Sequence, residues 1–211
     1  MGAEAIIPAY NEERTIGAVV AAARACRLIE RVHVIDDGST DRTAQAARRA
    51  GATVCTLRPN QGKTAALIRG AAAARADVLV LLDGDLLGLR AGHIEALLGP
   101  VLAGRAEMSI GIFNDGRWVT DLSQRLTPFL NGQRALRREI IEGLLPVEKM
   151  RYAADTILSR YAKRRGAKVR MVPLSGLTHV MKEEKVGLCR GFAARLAMYR
   201  QVFKAFLVRL P

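Results

Sequence analysis

Val78-Leu79-Val80-Leu81-Leu82-Asp83-Gly84-Asp85 is the stretch on which the reading of the whole chain turns. Five apolar residues in a row suit a strand buried on both faces, and two carboxylates separated by one glycine follow where that strand leaves its sheet. In an open α/β sheet, ligands sit beyond the carboxyl ends of the strands. Two acidic groups there repel each other unless a cation lies between them. Hard divalent ions such as Mg²⁺ or Mn²⁺ prefer oxygen ligands and often bridge a protein carboxylate to a substrate phosphate. The pattern points to a metal and a phosphate-bearing substrate; the competing reading is a solvated Asp-Gly turn.

Working outward, apolar strands alternate with helix-like segments. Ala5-Ile6-Ile7-Pro8, Val32-His33-Val34-Ile35, Thr53-Val54-Cys55-Thr56-Leu57 and Val78–Leu82 read as strands, with helix-like Ile16–Ala25, Asp41–Arg49 and Thr64–Ala74 between them. This rhythm, repeating at roughly 25 residues, predicts a parallel sheet with right-handed crossovers. Beyond it, Ala91–Ala103 reads as a helix and Glu107–Gly111 as a further strand. No internal repeat or low-complexity linker interrupts the chain.

The loops that follow these strands converge on one edge of such a sheet. They are Pro8-Ala9-Tyr10-Asn11-Glu12-Glu13, Asp36-Asp37-Gly38-Ser39-Thr40-Asp41 and Arg58-Pro59-Asn60-Gln61-Gly62-Lys63. An aromatic ring for stacking, acids for base and ribose donors and basic groups for phosphate are what a nucleotide needs. Each loop alone also reads as a helix N-cap, since Asp, Ser, Thr and Asn are favoured there. Together with Asp83-Gly84-Asp85, four such strand ends in succession argue for a site.

The length of 211 residues suits a domain of ordinary size, and with half its residues hydrophobic the chain is globular. Cys26, Cys55 and Cys189 are odd in number, far apart and outside any metal-binding spacing, so they read as free thiols in a reducing compartment. No apolar run approaches the roughly 18 residues that span a bilayer. Met1-Gly2-Ala3-Glu4 leads straight into a strand, so the expected location is the cytoplasm, with the inner face of the cell membrane as an option. A formal charge of +13 attracts polyanions in general: nucleic acid, anionic membrane or phosphorylated substrates. Nucleic acid is not expected, because the interleaved aromatic and basic pattern of the recognised nucleic-acid modules is missing. A non-catalytic polyanion-binding module is the alternative of a different class.

Taken together, Ile6-Ile7-Pro8-Ala9-Tyr10-Asn11-Glu12-Glu13, Val34-Ile35-Asp36-Asp37-Gly38-Ser39-Thr40-Asp41, Asn60-Gln61-Gly62-Lys63 and Asp83-Gly84-Asp85 resemble, in order and spacing, the family 2 glycosyltransferases of the GT-A fold. The motifs cover about the first 90 residues. The resemblance implies a Rossmann-like three-layer sandwich with a mostly parallel central sheet, divided into a nucleotide-sugar half over residues 1–90 and an acceptor half over 91–185. It implies that Pro8, Tyr10, Glu12, Asp36 and Asp37 hold the base and ribose of a nucleotide-diphosphate sugar, with Lys63 beside the same nucleotide. Asp83 would lie near ribose and metal, Asp85 would ligate Mg²⁺ or Mn²⁺ directly, and the ion would neutralise the diphosphate leaving group.

Resemblance in the acceptor half is weaker. In the similar polyprenyl-phosphate sugar transferases a polar residue often follows the acidic motif; Leu87 stands near that place and leaves the metal shell short of a ligand. His179, after an apolar stretch, would repair it, as a histidine does in some GT-A enzymes, the glucosyl-3-phosphoglycerate synthases among them. Lys182 and Lys185 would then cover the diphosphate. Asn131–Glu139 resembles the segment that precedes an Arg-containing helix, with Gln133 and Arg134 meeting sugar hydroxyls or phosphate; the competing reading is a helix start with a basic exposed face. Asp155 is the candidate catalytic base on a later helix, inward-facing with Leu158 and Ala162, and Arg151 one turn earlier is its candidate ion partner. The expected acceptor is a polyprenyl phosphate, the alternative a soluble phosphorylated acceptor. Residues 186–211 read as a basic amphipathic helix, with Leu188, Phe192, Leu196, Tyr199, Phe203, Phe206 and Leu210 on one stripe. That stripe fits peripheral membrane contact, packing on the domain, or a homodimer.

Overall fold

The computed structural model describes residues 2–113, 132–143 and 154–179. Strands β1 (Ala3–Ala9), β2 (Ile29–Asp36), β3 (Thr53–Thr56) and β4 (Val78–Leu81) alternate with helices α1 (Ile16–Ala25), α2 (Thr43–Arg49) and α3 (Lys63–Ala73). A two-residue strand β5 (Leu86–Leu87) precedes α4 (Ala91–Leu102) and β6 (Met108–Phe113). Then come β7 (Arg134–Arg137), the short α5 (Arg138–Ile141), α6 (Ala154–Arg164), β8 (Val169–Leu174) and the two-residue β9 (Thr178–His179).

Seven strands form one sheet in the order β3-β2-β1-β4-β7-β6-β8. The first four run parallel, as their alternation with helices predicts. β7 runs antiparallel to both neighbours, and β8 parallel to β6. Alternation along each central strand sends neighbouring side chains to opposite faces. Ala5, Ile7, Val34, Val80 and Leu82 pack with Ile16, Val19, Ile94 and Leu97 of α1 and α4. Ile6, Ile35, Leu79 and Leu81 pack with Leu67 of α3 and Ile157 and Leu158 of α6. Two cores, one on each face, are why these strands read as unbroken apolar runs.

The early elements match the sequence reading to within a few residues. The main departure is Arg134–Arg137, expected to lead into a helix and found as a strand between β4 and β6. Ala135 and Leu136 supply one buried side chain to each face there, which suffices for four residues in the middle of a sheet. At the end of the sheet away from these strand tips, Glu4 and His33 are both buried and bonded, Nε2 to Oε2 at 2.7 Å, with the Arg75 N–H 3.3 Å from both carboxylate oxygens.

Candidate active site

The loops after β1 and β2 are zipped together by side chains. Asn11, in the left-handed region at φ 55°, accepts the Thr40 N–H at 2.9 Å, and Ser39 Oγ accepts the Asn11 N–H at 3.0 Å. Asp41 accepts the Glu13 N–H at 3.1 Å and the Thr43 N–H at 2.9 Å, and Thr43 Oγ1 accepts the Glu12 N–H at 2.7 Å. The Tyr10 ring is left 47% exposed at the mouth. Pro8, expected to face a ligand, lies inside β1 opposite Ile35 and is buried.

Asp36 and Asp37 are both buried. Asp36 Oδ1 accepts the Ser39 N–H at 3.1 Å. Asp37 clamps the third loop: Oδ1 accepts the Gln61 N–H and Oδ2 the Gly62 N–H, both at 2.7 Å, while its carbonyl oxygen accepts the Asn60 side-chain amide at 2.8 Å. An acid expected at base or ribose is engaged on both oxygens in holding the loop that introduces Lys63.

Lys63 starts α3, and its ammonium reaches across to two carboxylates: Asp83 Oδ1 at 2.7 Å and Asp155 Oδ2 at 2.9 Å. Burial works against the charged ammonium, but Asp155 and then Asp83 outweigh it and hold the pKa above the usual lysine value. The Gln133 amide donates to Asp83 Oδ2 at 2.9 Å. The register of β4 with β7, Leu81 opposite Arg134, explains this. Continued by two residues it sets Gly132 beside Asp83, so close that a Cβ there would overlap the Asp83 carboxylate and crowd the Lys63 ammonium.

Arg134 is wholly buried, not at an open acceptor surface as the sequence suggested. Its Nη1 donates to Ser159 Oγ at 2.8 Å, and its Nε stands 3.9 Å from Asp155 Oδ1. Ser159 in turn donates to the Asp155 carbonyl at 3.0 Å, one helical turn back. Burial pushes the guanidinium pKa down, with Asp155 and Asp83 opposing. Asp155 does face inward, but its partners are Lys63 and Arg134; the expected partner Arg151 lies outside the described residues. The result is an alternating row of charges, Asp83, Lys63, Asp155 and Arg134, that joins α3, the end of β4, β7 and α6. Ser159 was not singled out from sequence. Ser159 is four residues from Asp155, which was the available signal.

Beyond Asp85, β5 pairs antiparallel with β9, Leu86 opposite His179. The backbone of His179 therefore lies across from the residue that follows Asp85. Thr15 Oγ1 fastens the turn from the other side, donating to the Gly84 carbonyl at 2.8 Å. Among the described residues no group of three His, Cys, Asp or Glu side chains converges as a ready-made metal centre. Lys182, Lys185 and the segment 186–211 lie outside the described residues.

The sequence model described as Glycosyl transferase family 2 matches residues 4–173. Glucosyl-3-phosphoglycerate synthase of Mycolicibacterium smegmatis is 36% identical over 106 residues, covering 46% of this chain and 35% of that protein. Undecaprenyl-phosphate 4-deoxy-4-formamido-L-arabinose transferase of Pseudomonas paraeruginosa is 37% identical over 91 residues, covering 38% and 27%. The chain thus spans about a third of the length of these curated relatives. A crystal structure of glucosyl-3-phosphoglycerate synthase from Mycobacterium tuberculosis, in complex with Mn²⁺, uridine diphosphate and phosphoglyceric acid, superposes with a TM-score of 0.77 at 27% identity, covering 98% of this chain and 77% of that one.

Proposed function

The chain belongs to glycosyl transferase family 2 and has the GT-A fold, and from that premise we propose that it transfers a sugar from a nucleotide-diphosphate sugar to a phosphorylated acceptor. The observation that supports this reading is the backbone pairing of His179 with Leu86, the residue that follows the Asp83-Gly84-Asp85 turn. Two carboxylates and an imidazole are a donor set that fits Mg²⁺ or Mn²⁺. Asp85, with Asp83 and His179, would hold the ion, and the ion supplies positive charge against the departing diphosphate.

The remaining residues bind and orient. Tyr10 offers its exposed ring to the base, with Asp36 and Glu12 beside the nucleoside. Asp37 positions the loop that leads to Lys63. Lys63 and Gln133 between them orient Asp83, and Lys182 and Lys185 complete the reading as cations over the diphosphate. Asp155 is tied to Lys63 at 2.9 Å, so it acts by holding Lys63 and the sugar in place. A proton-abstracting base is unnecessary where the phosphate itself is the nucleophile, as with a polyprenyl phosphate, because it is already anionic at neutral pH; a hydroxyl of a phosphorylated acid gives up its proton as it is glycosylated, and needs an acceptor for it.

A soluble phosphorylated acid is the preferred acceptor. Likeness to the Mycobacterium tuberculosis enzyme bound to phosphoglyceric acid extends over 98% of this chain. By sequence the two kinds of relative are nearly level, 36% identical over 46% of this chain against 37% over 38%, and the undecaprenyl-phosphate transferase supports the second reading, a polyprenyl phosphate. No helix among the described residues is long and apolar enough to cross a membrane.

The test is transfer from UDP-glucose with Mn²⁺ to 3-phosphoglycerate, and separately to a polyprenyl phosphate in detergent, with Asp85→Ala as control. Product with phosphoglycerate, lost in the variant, supports the proposal. Product with the lipid phosphate only moves the second reading forward. No nucleotide binding of any kind, with polyanion binding retained, removes the enzyme reading.

A further inference from the structure

The ribbon that brings His179 to the acidic turn contains only four residues, with Leu87 opposite Thr178 and Leu86 opposite His179. Leu86 and Leu177 anchor it, both buried in the core beneath α1 and α4. Each strand is flanked by a glycine in the left-handed region, Gly88 at φ +79° and Gly176 at φ +73°. Their surroundings differ. A Cβ on Gly88 would overlap the carbonyl oxygen of Gly176, whereas a Cβ on Gly176 would meet nothing. Glycine at 176 answers a conformational demand alone; glycine at 88 answers a spatial one as well.

We propose that the contact of Gly88 with the Gly176 carbonyl is the spacer that sets how closely β9 approaches Asp85, making Gly88 a positioning residue for the divalent cation. The proposal rests on the metal reading given above. A pair of two-residue strands has too few ladder hydrogen bonds to fix its own separation, so the backbone contact at its end governs it. A side chain at 88 must push the Gly176 end of the other strand away, and His179 is three residues further along that strand. Metal sites respond steeply to such shifts: ligand distances hold to within about 0.2 Å, and loss of an orienting neighbour typically weakens binding about 10–100-fold.

The experiment measures Mn²⁺ binding directly, from the loss of the free-ion electron paramagnetic resonance signal in the presence of UDP, for the whole chain and four variants. Gly88→Ala carries both the overlap and the strain of a positive φ. Gly176→Ala carries only the strain and is the matched control. Gly88→Asn keeps the overlap while better tolerating the left-handed conformation, which serves if Gly88→Ala does not fold. Asp85→Ala tests the metal reading itself. The expected result is a dissociation constant raised at least tenfold in both Gly88 variants, within about threefold of the parent in Gly176→Ala, and loss of binding in Asp85→Ala. Parental affinity in the Gly88 variants, with loss in Asp85→Ala, overturns the spacer and leaves the metal reading standing. Equal weakening at 88 and 176 overturns it too, because strain alone then accounts for the effect. Failure of both Gly88 variants to fold overturns it as well, since the contact would then be a requirement of folding. Parental affinity in Asp85→Ala overturns the metal reading and the spacer with it.

Discussion

Lys63 Nζ stands 2.7 Å from Asp83 Oδ1, binding the first residue of α3 to the residue that closes the central strand run. The same ammonium holds Asp155 at 2.9 Å, so one cation separates two carboxylates that would otherwise face each other across the site. Replacing Lys63 with Met leaves both acids short of their counter-charge. The expected cost is about 3–5 kcal/mol of stability, read from urea unfolding, together with loss of nucleotide binding. A variant as stable as the parent would show that the bridge is not a structural element.

Asp37 accepts two backbone N–H groups from the loop that leads into α3. Asp37→Ala strands both donors, each worth roughly 1–3 kcal/mol when buried and unmet. The expected outcome is a loss of about 2–4 kcal/mol and weaker UDP binding by calorimetry. Retained stability with lost binding would instead assign Asp37 to direct nucleotide contact.

Asp155→Asn keeps the size of the side chain and removes its charge. If Asp155 orients the sugar and Lys63, Mn²⁺ and UDP binding should stay within about threefold of the parent while kcat falls at least about a hundredfold, roughly 2.7 kcal/mol at about 1.36 kcal/mol per decade. Unchanged kcat would remove Asp155 from the machinery.

Glu4 and His33 offer a control remote from the strand tips. Glu4→Ala leaves a buried imidazole and the Arg75 N–H without their acceptor. A drop of about 2–3 kcal/mol in unfolding free energy is expected, as donors lose a buried acceptor, with nucleotide affinity unaltered. Coupled loss of affinity would show that this end of the sheet communicates with the site.

The acid limb of the stability curve should carry a signature of Asp41. Burial works against its anion, yet hydrogen bonds from the Thr43 hydroxyl and N–H and from the Glu13 N–H outweigh it and hold the folded pKa below the ordinary 3.8. Its contribution is therefore present above pH 3.8 and is lost as pH falls through the lower folded value. Asp41→Asn should flatten unfolding free energy against pH in that window, and an unchanged slope would assign the acid limb to other carboxylates.

The parallel half of the fold was legible in the sequence because its strands are buried on both faces, and such strands must be apolar without interruption. The loop acids were legible as a set for the same reason: strand ends in a parallel sheet all point to one edge. Their individual tasks were not. Asp37 reads like Asp36 in sequence, yet its two oxygens are engaged by a loop that arrives 24 residues later. Arg134 reads as an acceptor-binding cation or part of an exposed basic face, because the partners that bury it are distant in sequence. Its acceptor Ser159 and the carboxylate of Asp155 come from a helix more than twenty residues away. β7, with only Ala135 and Leu136 apolar between Arg134 and the pair Arg137-Arg138, carries too short a pattern to announce a strand; its place between β4 and β6 is decided by backbone pairing that no local signal encodes. The sequence by itself determined the parallel β-α order, the two-sided core and the edge on which the acids gather, all consequences of local hydrophobic periodicity. The tertiary structure alone decided which acid meets which cation and that the backbone of His179 pairs with Leu86, because those pairings depend on strand register and close backbone approach between segments far apart in the chain.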